Sequence, residues 1–412
     1  MDKRLGKYRL VAELARGGMA VVWLAETRGP GGFSKHFVVK ELLPNLARDE
    51  EHRAMFLDEA RLAARLSHAN IVETIDIDRD GDRWFMVLEL LHGCSLDRAR
   101  KLLAPRRMSP GMAVKIVRDL LDGLHHAHEA RDDEGRPLRI VHRDVSARNV
   151  FLTTAGEVKL LDFGLAKISD RGRRTEPGMV KGSVRYLSPE HVGEVPLDRR
   201  ADVFAAGILL RELLLGERLW DGLDDASVLR KVLVREIPPF PRGTDVPEQL
   251  ARICEKAMAP YRIQRFATAA EMKSALDDWA RGSSDVTSAE DLARLFDSDL
   301  AIERDRVRLL LRTNPPDVVT PPDVMQVGHD DDRVTLPAPP EREASVLEPS
   351  PRRRTRLVTI AAIASKSRWR PLAVGAAAAA LLVAGTLVPR LVDANEHGPR
   401  VAASTGAVCA TN

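Results

Sequence analysis

The chain has 412 residues, with 63 basic and 60 acidic side chains and a net charge of +3. Its length exceeds that of one small module and fits a large domain with further segments, and its balanced charge gives no overall field that favours nucleic acid as a partner. Because Cys94, Cys254 and Cys409 have no Cys-x-x-Cys spacing, neither a disulfide framework nor a zinc site is predicted, and a reducing cytosol suits the main domain.

Residues 8–91 have short apolar runs that predict a small β-rich lobe. These runs are rich in Val, Ile, Phe and Trp and are separated by glycine and charged turns. The predicted strands are 8–15, 20–26, 33–41, 71–78 and 83–90. One helix, over residues 51–66, interrupts them.

From residue 92 the pattern changes to helical periodicity, which predicts a second, larger lobe over residues 92–281. The apolar positions recur at intervals of three and four, as in Ala113, Val114, Val117, Leu120, Leu121 and Leu124. A helical extension, packed on or tethered to this domain, is predicted over residues 282–312. Its apolar side comprises Leu292, Leu295, Phe296 and Leu300.

The remaining segments predict a linker and a membrane anchor. Residues 313–353 are rich in proline and acids, and such a composition does not fold alone. Residues 371–389 have no charge and, as a helix, would reach about 28 Å, close to the thickness of a bilayer. The basic residues within 354–370 would hold the domain in the cytoplasm of a bacterial inner membrane, with a short tail over 390–412 outside.

An alanine-rich helix in a soluble tail is the alternative interpretation of residues 371–389, because 19 residues is near the lower limit for a span. Residues 1–20 lack an uninterrupted apolar core behind a basic start, so no cleaved signal peptide is expected.

The segment 140–149 places a carboxylate, a carboxamide and two guanidinium groups on one loop. It contains His142, Arg143, Asp144 and Asn149, and Asp162-Phe163-Gly164 follows it. This order and spacing resembles the catalytic and metal-binding motifs of protein kinases, in particular the bacterial eukaryotic-like serine/threonine kinases, over about residues 8–281. The resemblance implies an α+β, two-lobed kinase fold with ATP and Mg²⁺ as ligands and protein substrates.

The resemblance also assigns roles to five polar residues. Asp144 would orient the substrate hydroxyl and accept its proton, while Asn149 and Asp162 would bind Mg²⁺. Lys40 would bind the α- and β-phosphates, and Glu59 would be its ion-pair partner. Without the other motifs, Lys40 would be interpreted as one of many ordinary exposed lysines.

The nucleotide would lie under the turn after residue 15 and against the segment joining the lobes. Its binding residues would be Ala15, Arg16, Gly17, Gly18, Val22, Val38, Glu89 and Leu91, with Leu88 as gatekeeper. Of the family's G-x-G-x-x-G pattern only Gly17 remains in register, and Ala15 and Ala20 replace the outer glycines. A slacker or differently shaped loop is therefore an expectation, and a plain hairpin turn is the alternative.

Ser146 departs from the family, because serine/threonine kinases usually have Lys at this position. Arg148 is expected to compensate for the lost cation, although receptor tyrosine kinases also resemble this spacing. The segment 182–190 resembles the serine/threonine version of the substrate-docking segment, in which Ser183 would reach Asp144. Serine/threonine specificity is therefore favoured, and a pseudokinase scaffold is the rival function.

Other motif residues are predicted to have structural or regulatory roles. Glu190 and Arg265 would form a buried ion pair, and Asp202 would brace the catalytic loop, residues 140–149. His142, His125, His126 and His128 are expected to be structural rather than catalytic or metal-binding. Phosphorylation of Thr175, which could pair with Arg143, would order the activation segment, residues 165–188, and a homodimer would permit this reaction in trans.

Overall fold

The N-terminal lobe of the computed structural model is built on an antiparallel sheet that uses the predicted apolar runs. The structure describes residues 3–163, 184–193, 196–313 and the backbone of 325–326. The strands are β1 (Arg4–Leu5), β2 (Tyr8–Arg16), β3 (Ala20–Arg28), β4 (Ser34–Leu42), β5 (Thr74–Asp80), β6 (Arg83–Glu89), β7 (Gly93–Ser95), β8 (Val150–Thr153), β9 (Val158–Leu160) and β10 (Met325–Gln326). The large sheet has the order β1-β2-β3-β4-β6-β5, with β10 parallel to β2, and β7-β8-β9 form a small second sheet.

The described helices lie mostly in the second lobe, as the periodicity predicted. They are α1 (Pro44–Ala47), α2 (Glu50–Ala63), α3 (Leu96–Leu103), α4 (Pro110–Glu129), α5 (Pro189–Val192), α6 (Arg200–Leu215), α7 (Asp225–Leu233), α8 (Glu248–Ala257), α9 (Ala269–Gly282), α10 (Ala289–Arg294) and α11 (Ala301–Thr313). Short 3₁₀ turns occupy Pro30–Gly32, Val184–Tyr186 and Arg262–Gln264.

Each of the five predicted strands is present, with small differences at the ends. The strand predicted over 71–78 begins only at Thr74. The helix predicted over 51–66 is α2, which begins one residue earlier because the Asp49 carboxylate accepts hydrogen bonds from the backbone N–H groups of Glu51 and His52. This capping fixes the start of the helix that contains Glu59.

The core of the second lobe is formed around α4 and α6. The apolar stripe predicted for α4 is buried, and every residue of α6 from Ala201 to Leu214 is buried as well. Burying one Val, Leu or Ile side chain contributes about 1.5–3 kcal/mol to the free energy of unfolding. These two helices therefore give the catalytic loop, which follows α4, a rigid support.

The predicted helical extension consists of two helices, α10 and α11. Ser288 and Asp291 form a reciprocal capping box at the start of α10, and residues 295–300 separate it from α11. Leu292, Phe296 and Leu300 are buried in the core of the second lobe. The extension is therefore packed on the domain.

The predicted membrane helix, the basic segment and the tail lie outside the described residues, as does the linker beyond Thr313 apart from residues 325–326. Among the helices that the structure describes, none is long and apolar enough to span a bilayer.

We expect Gly156→Ala to lower the free energy of unfolding by about 3 kcal/mol or more, because a Cβ there would meet the carbonyl oxygen of Ala289 at 1.8 Å. Gly135 is a matched control, since it has the same φ of +79° and no atom near the position of a Cβ. Gly135→Ala should cost only about 1 kcal/mol. Chemical denaturation of both variants measures the difference, and equal costs would show that α10 does not pack against Gly156.

Candidate active site

Lys40 joins three segments that are distant in sequence. It lies on β4, and its Nζ donates to Oε1 of Glu59 on α2 at 2.8 Å and to Oδ1 of Asp162, after β9, at 2.7 Å. The Lys40 side chain is only 15% exposed. The contact with Glu59 is the one predicted from sequence, while the contact with Asp162 also ties the first lobe to the second.

The electrostatics of this triad keep Lys40 charged. Burial alone would lower the pKa of Lys40, but the carboxylates of Asp162 and Glu59 outweigh it and raise that pKa above its ordinary value. Desolvation opposes ionisation of Asp162, yet the neighbouring ammonium lowers the pKa of Asp162. Burial raises the pKa of Glu59, and Lys40 offsets this only in part. The arrangement places a fixed cation beside an ionised carboxylate.

The catalytic loop holds Asp144 and Asn149 together. Nδ2 of Asn149 donates to the backbone oxygen of Asp144 at 2.8 Å and to its Oδ2 at 3.0 Å. The backbone oxygen of Asn149 accepts a bond from the N–H of Leu161 at 2.8 Å, which brings the loop against the segment containing Asp162. The predicted proton acceptor and the two predicted metal ligands thus belong to one hydrogen-bonded group of segments.

The side chains of Asn149 and Asp162 have the ligand chemistry that a Mg²⁺ site needs. Both offer oxygen, the ligand atom that Mg²⁺ prefers, and Asn149 uses its nitrogen for Asp144. In the described part of the chain, no group of three His, Cys, Asp or Glu side chains could hold a metal by itself. Mg²⁺ usually completes its coordination with water and substrate phosphates, so two protein ligands are sufficient.

Asp202 braces the catalytic loop, as the sequence predicted. Its Oδ2 accepts from the backbone N–H of His142 at 2.8 Å and its Oδ1 from that of Arg143 at 2.9 Å. Arg143 has a φ of 67°, which is costly for a non-glycine residue and persists only where the surroundings fix it. Nε2 of His128 contacts the same carboxylate at 2.8 Å. His128 is therefore structural, although its pairing with Asp202 was not predicted.

His142 links the catalytic loop to the Asp162 segment. Its Nε2 lies 2.9 Å from the carbonyl oxygen of Leu161, and its ring centroid lies 4.7 Å from that of Phe163. Burial lowers the pKa of His142, so the neutral ring is favoured. These contacts confirm the structural role predicted for this histidine.

The turn between β2 and β3 is a tight hairpin, which agrees with the plain hairpin turn and not with the slacker loop among the two alternatives from sequence. The N–H of Gly17 bonds to the carbonyl oxygen of Ala20 at 2.9 Å, and Ala15 pairs with Val22. Ala15 and Ala20 lie in strands and have no positive φ, so their methyl groups are accommodated without strain. The two alanines are therefore compatible with a short hairpin, whose turn contains Gly17 and Gly18.

The other predicted nucleotide residues flank Lys40. Val22 is the strand partner of Lys40 on β3, and Val38 lies two residues before it on β4. The guanidinium of Arg16 is held by Glu13 at 2.6 Å. Its side chain therefore has a partner within its own strand.

The segment that joins the lobes is fixed through Glu89. Its Oε1 accepts from the backbone N–H of Glu73 at 2.9 Å and from Nζ of Lys159 at 2.8 Å. Leu88 pairs with Val38 on the neighbouring strand, and Leu91 follows the end of β6. The Glu89 side chain thus has a structural role, and the backbone is the part of this segment that could contact adenine.

Arg148 lies near two other arginines, Arg185 and Arg218, which the sequence did not predict. Ser146 is buried, whereas Arg148 is exposed, and both line a cavity of about 30 Å³. The cavity is also lined by Asp97, Ala147, Arg185, Tyr186 and Arg218. Ser183 and Thr175, the residues predicted to dock substrate and to be phosphorylated, lie outside the described residues.

Glu190 and Arg265 form the predicted buried ion pair. Nη2 of Arg265 donates to Oε2 of Glu190 at 2.9 Å, and a second bond joins Nη1 to Oε1. Burial opposes ionisation of Glu190, but Arg265 outweighs it and lowers the pKa of Glu190. The pair fastens α5, which follows the activation segment, to the helical lobe.

Comparison with known proteins identifies the family. The model of the protein kinase domain matches residues 8–276. The chain belongs to the protein kinase family. Tyrosine-protein kinase MasK of Myxococcus xanthus is 38% identical over 74% of this chain and 48% of its own, and serine/threonine-protein kinase PrkC of Bacillus subtilis is 31% identical over 74% and 44%. Serine/threonine-protein kinase PknL of Mycobacterium tuberculosis is 33% identical over 66% of this chain and 65% of its own.

This chain spans about half the length of the first two relatives. The crystal structure of the PknI kinase domain of Mycobacterium tuberculosis covers 68% of this chain and 98% of its own, with a TM-score of 0.50 and 24% identity. That likeness confirms the predicted two-lobed kinase fold.

We expect Asp202→Asn to destabilise the protein by roughly 3 kcal/mol at pH 7, because three hydrogen bonds to a buried carboxylate are weakened. Desolvation opposes ionisation, but His128 and the backbone donors outweigh it and lower the pKa of Asp202 from its ordinary 3.8. This stabilisation is therefore complete above pH 3.8 and is lost as the pH falls through the lower, folded-state pKa.

Denaturation of both proteins between pH 7 and pH 3 measures the effect. The difference in the free energy of unfolding between wild type and Asp202→Asn should be constant down to about pH 4 and should then become smaller. Asp221→Asn, at an exposed position, is the control and should show no such difference. A difference between wild type and Asp202→Asn that grew below pH 4 would contradict the assignment.

Proposed function

We propose that this kinase transfers the γ-phosphate of ATP to serine and threonine hydroxyls of protein substrates. The observation that supports this most strongly is the position of Lys40, which is bound to both Glu59 and Asp162. Phosphoryl transfer depends mainly on positioning and charge neutralisation, and this cation is fixed between the lobes where phosphates would lie.

In the proposed reaction Asp144 orients the acceptor hydroxyl and accepts its proton. The acceptor oxygen forms a bond to the γ-phosphorus, the bond from this phosphorus to the β,γ-bridging oxygen breaks, and ADP leaves. The Nδ2–H of Asn149 donates a hydrogen bond to the carboxylate of Asp144. Asp202 accepts a bond from the backbone N–H of His142 and so fixes the loop that contains both residues. Lys40 neutralises the α- and β-phosphates.

Asn149 and Asp162 are proposed to hold Mg²⁺, which neutralises phosphate charge when it is bound. The hairpin from Ala15 to Val22 would cover the phosphates, with Gly17 and Gly18 letting backbone approach them. Adenine would lie against Val22, Val38 and the backbone of residues 89–91.

Serine and threonine are the proposed acceptors, because PrkC and PknL are named serine/threonine kinases and residues 182–190 resemble the corresponding docking segment. Tyrosine is the alternative acceptor. Arg148 has the place of an arginine in receptor tyrosine kinases, and MasK is named a tyrosine kinase. A phosphoacceptor profile on peptide libraries separates the two classes.

We further propose that residues 371–389 tether the domain to the bacterial inner membrane, with the kinase on the cytoplasmic side and residues 313–353 as the linker. The uncharged 19-residue segment and the basic residues before it support this proposal. Autophosphorylation in trans, within a homodimer, is proposed for Thr175, which follows three arginines, Arg171, Arg173 and Arg174.

We expect Asp144→Asn to lower the rate of phosphoryl transfer by at least about 10²-fold, because an amide does not accept the proton. The affinity for Mg²⁺-bound ATP analogue should change little. Radiolabelled phosphate transfer and calorimetric binding measure the two quantities. Equal incorporation by wild type and variant would remove the catalytic claim, and binding without transfer by the wild type would favour a pseudokinase scaffold.

Replacing Arg148 tests whether it compensates for Ser146. Arg148→Ala should lower kcat by roughly tenfold or more if the guanidinium stabilises the transferred phosphoryl group. Arg136→Ala is the control, because Arg136 is exposed on a turn and paired with Asp132. An unchanged kcat would leave Arg148 with no part in phosphoryl transfer.

A further inference from the structure

The extension after the kinase domain is anchored firmly in the helical lobe. Leu292, Phe296 and Leu300 are buried in its core, and the first half of α11 is held by an ion pair. Oε1 of Glu303 accepts from Nε of Arg98, on α3, at 2.9 Å, and the Glu303 side chain is only 3% exposed. The start of α11 therefore belongs mechanically to the second lobe.

The second half of α11 packs on the first lobe. Val307 and Leu310 are buried in one cluster with residues of β2 and β3, and Leu311 packs against the same cluster. The other members of this cluster are Val11, Ala12, Leu14, Leu24 and Leu90. A single helix thus contacts the helical lobe at one end and the nucleotide-covering strands at the other.

Two members of the cluster are important for the position of the nucleotide. Leu14 directly precedes Ala15, where the phosphate-covering hairpin begins, and Leu90 lies in the segment that joins the lobes. Further along the chain, Met325 and Gln326 pair in parallel with Ala15 and Arg16 on the same strand. The chain after the kinase domain therefore contacts the cover at two separate places.

We propose that α11 is an interlobe strut, a connection in addition to the 89–91 segment and the Lys40–Asp162 contact, that positions the β2–β3 hairpin over the nucleotide. This inference rests on the proposed ATP-binding function. A hairpin joined to the rest of the protein only through its sheet could open about the 89–91 segment. Because α11 contacts both lobes beside that segment, opening must separate Val307 and Leu310 from β2 and β3.

The strut also connects the nucleotide site with the segment that follows it. α11 ends at Thr313, where the proline-rich linker begins. A force or a partner that moves α11 would change the hairpin and hence nucleotide affinity, because both share one apolar cluster. Coupling of two sites through a packed element of this kind typically changes affinity by about 5- to 150-fold.

Val307→Asp in the full chain tests the strut, because it places a charge in the cluster and separates the helix from β2 and β3. We expect the Kd for Mg²⁺ and a non-hydrolysable ATP analogue to rise by at least about fivefold. Hydrogen exchange in residues 10–25 and 88–91 should become faster, while exchange in α4 and α6 stays as in the wild type.

Two matched variants separate this effect from a loss of folding. Ile302→Asp puts the same charge on the same helix at a position that is 65% exposed, and it should bind the analogue like the wild type. Leu310→Ala removes buried apolar atoms without adding charge and should give an intermediate increase in Kd. Val307→Ile should retain wild-type affinity.

Unchanged analogue affinity and exchange in both Val307→Asp and Leu310→Ala would overturn the strut. Faster exchange throughout α4 and α6 in both variants would also overturn it, since α11 would then stabilise the whole fold rather than position the hairpin. Binding is measured without phosphoryl transfer, so a strut that fails leaves the proposed reaction intact. A wild-type protein that does not bind the analogue would instead contradict the proposed function.

Discussion

The ammonium of Lys40 imposes the constraint on which the rest of the site depends. It is largely buried, and a buried charge without a partner costs several kcal/mol, so β4 must bring it to carboxylates. Glu59 requires the position of α2, and Asp162 requires that the segment after β9 meets the first lobe. One side chain therefore determines the position of a helix, a strand and a loop relative to one another.

In the second lobe, buried polar groups fix the catalytic loop and the segment that contains Asp162. Asp202, on α6, fixes the backbone of His142 and Arg143, and the ring of His142 lies against Leu161 and Phe163. These hydrogen bonds and this ring contact join neighbouring segments, so a change in the position of one segment alters the position of the next. The core around α4 and α6 makes the chain of contacts rigid.

Much of this could be predicted from sequence because the relevant signals are local. Strand and helix periodicity and the 142–149 motif are short patterns, and the resemblance to protein kinases implied the Lys40–Glu59 pair. The pairing of His128 with Asp202 is made only in the folded lobe. The sequence left the shape of the hairpin open between a slacker loop and a plain turn, since the effect of Ala15 and Ala20 depends on their φ angles. The division of the extension and the contact of Val307 with β2 and β3 depend on tertiary packing, which periodicity does not specify. The model of the protein kinase domain matches residues 8–276 and does not include α11.

The most direct test of the central claim is a crystal structure of the protein with Mg²⁺ and a non-hydrolysable ATP analogue. The account predicts that Lys40 contacts phosphate oxygens while keeping its bond to Glu59, and that the metal is bound by Asn149 and Asp162 under the hairpin closed by Gly17 and Gly18. A nucleotide bound elsewhere, or a metal with neither of these two ligands, would contradict it.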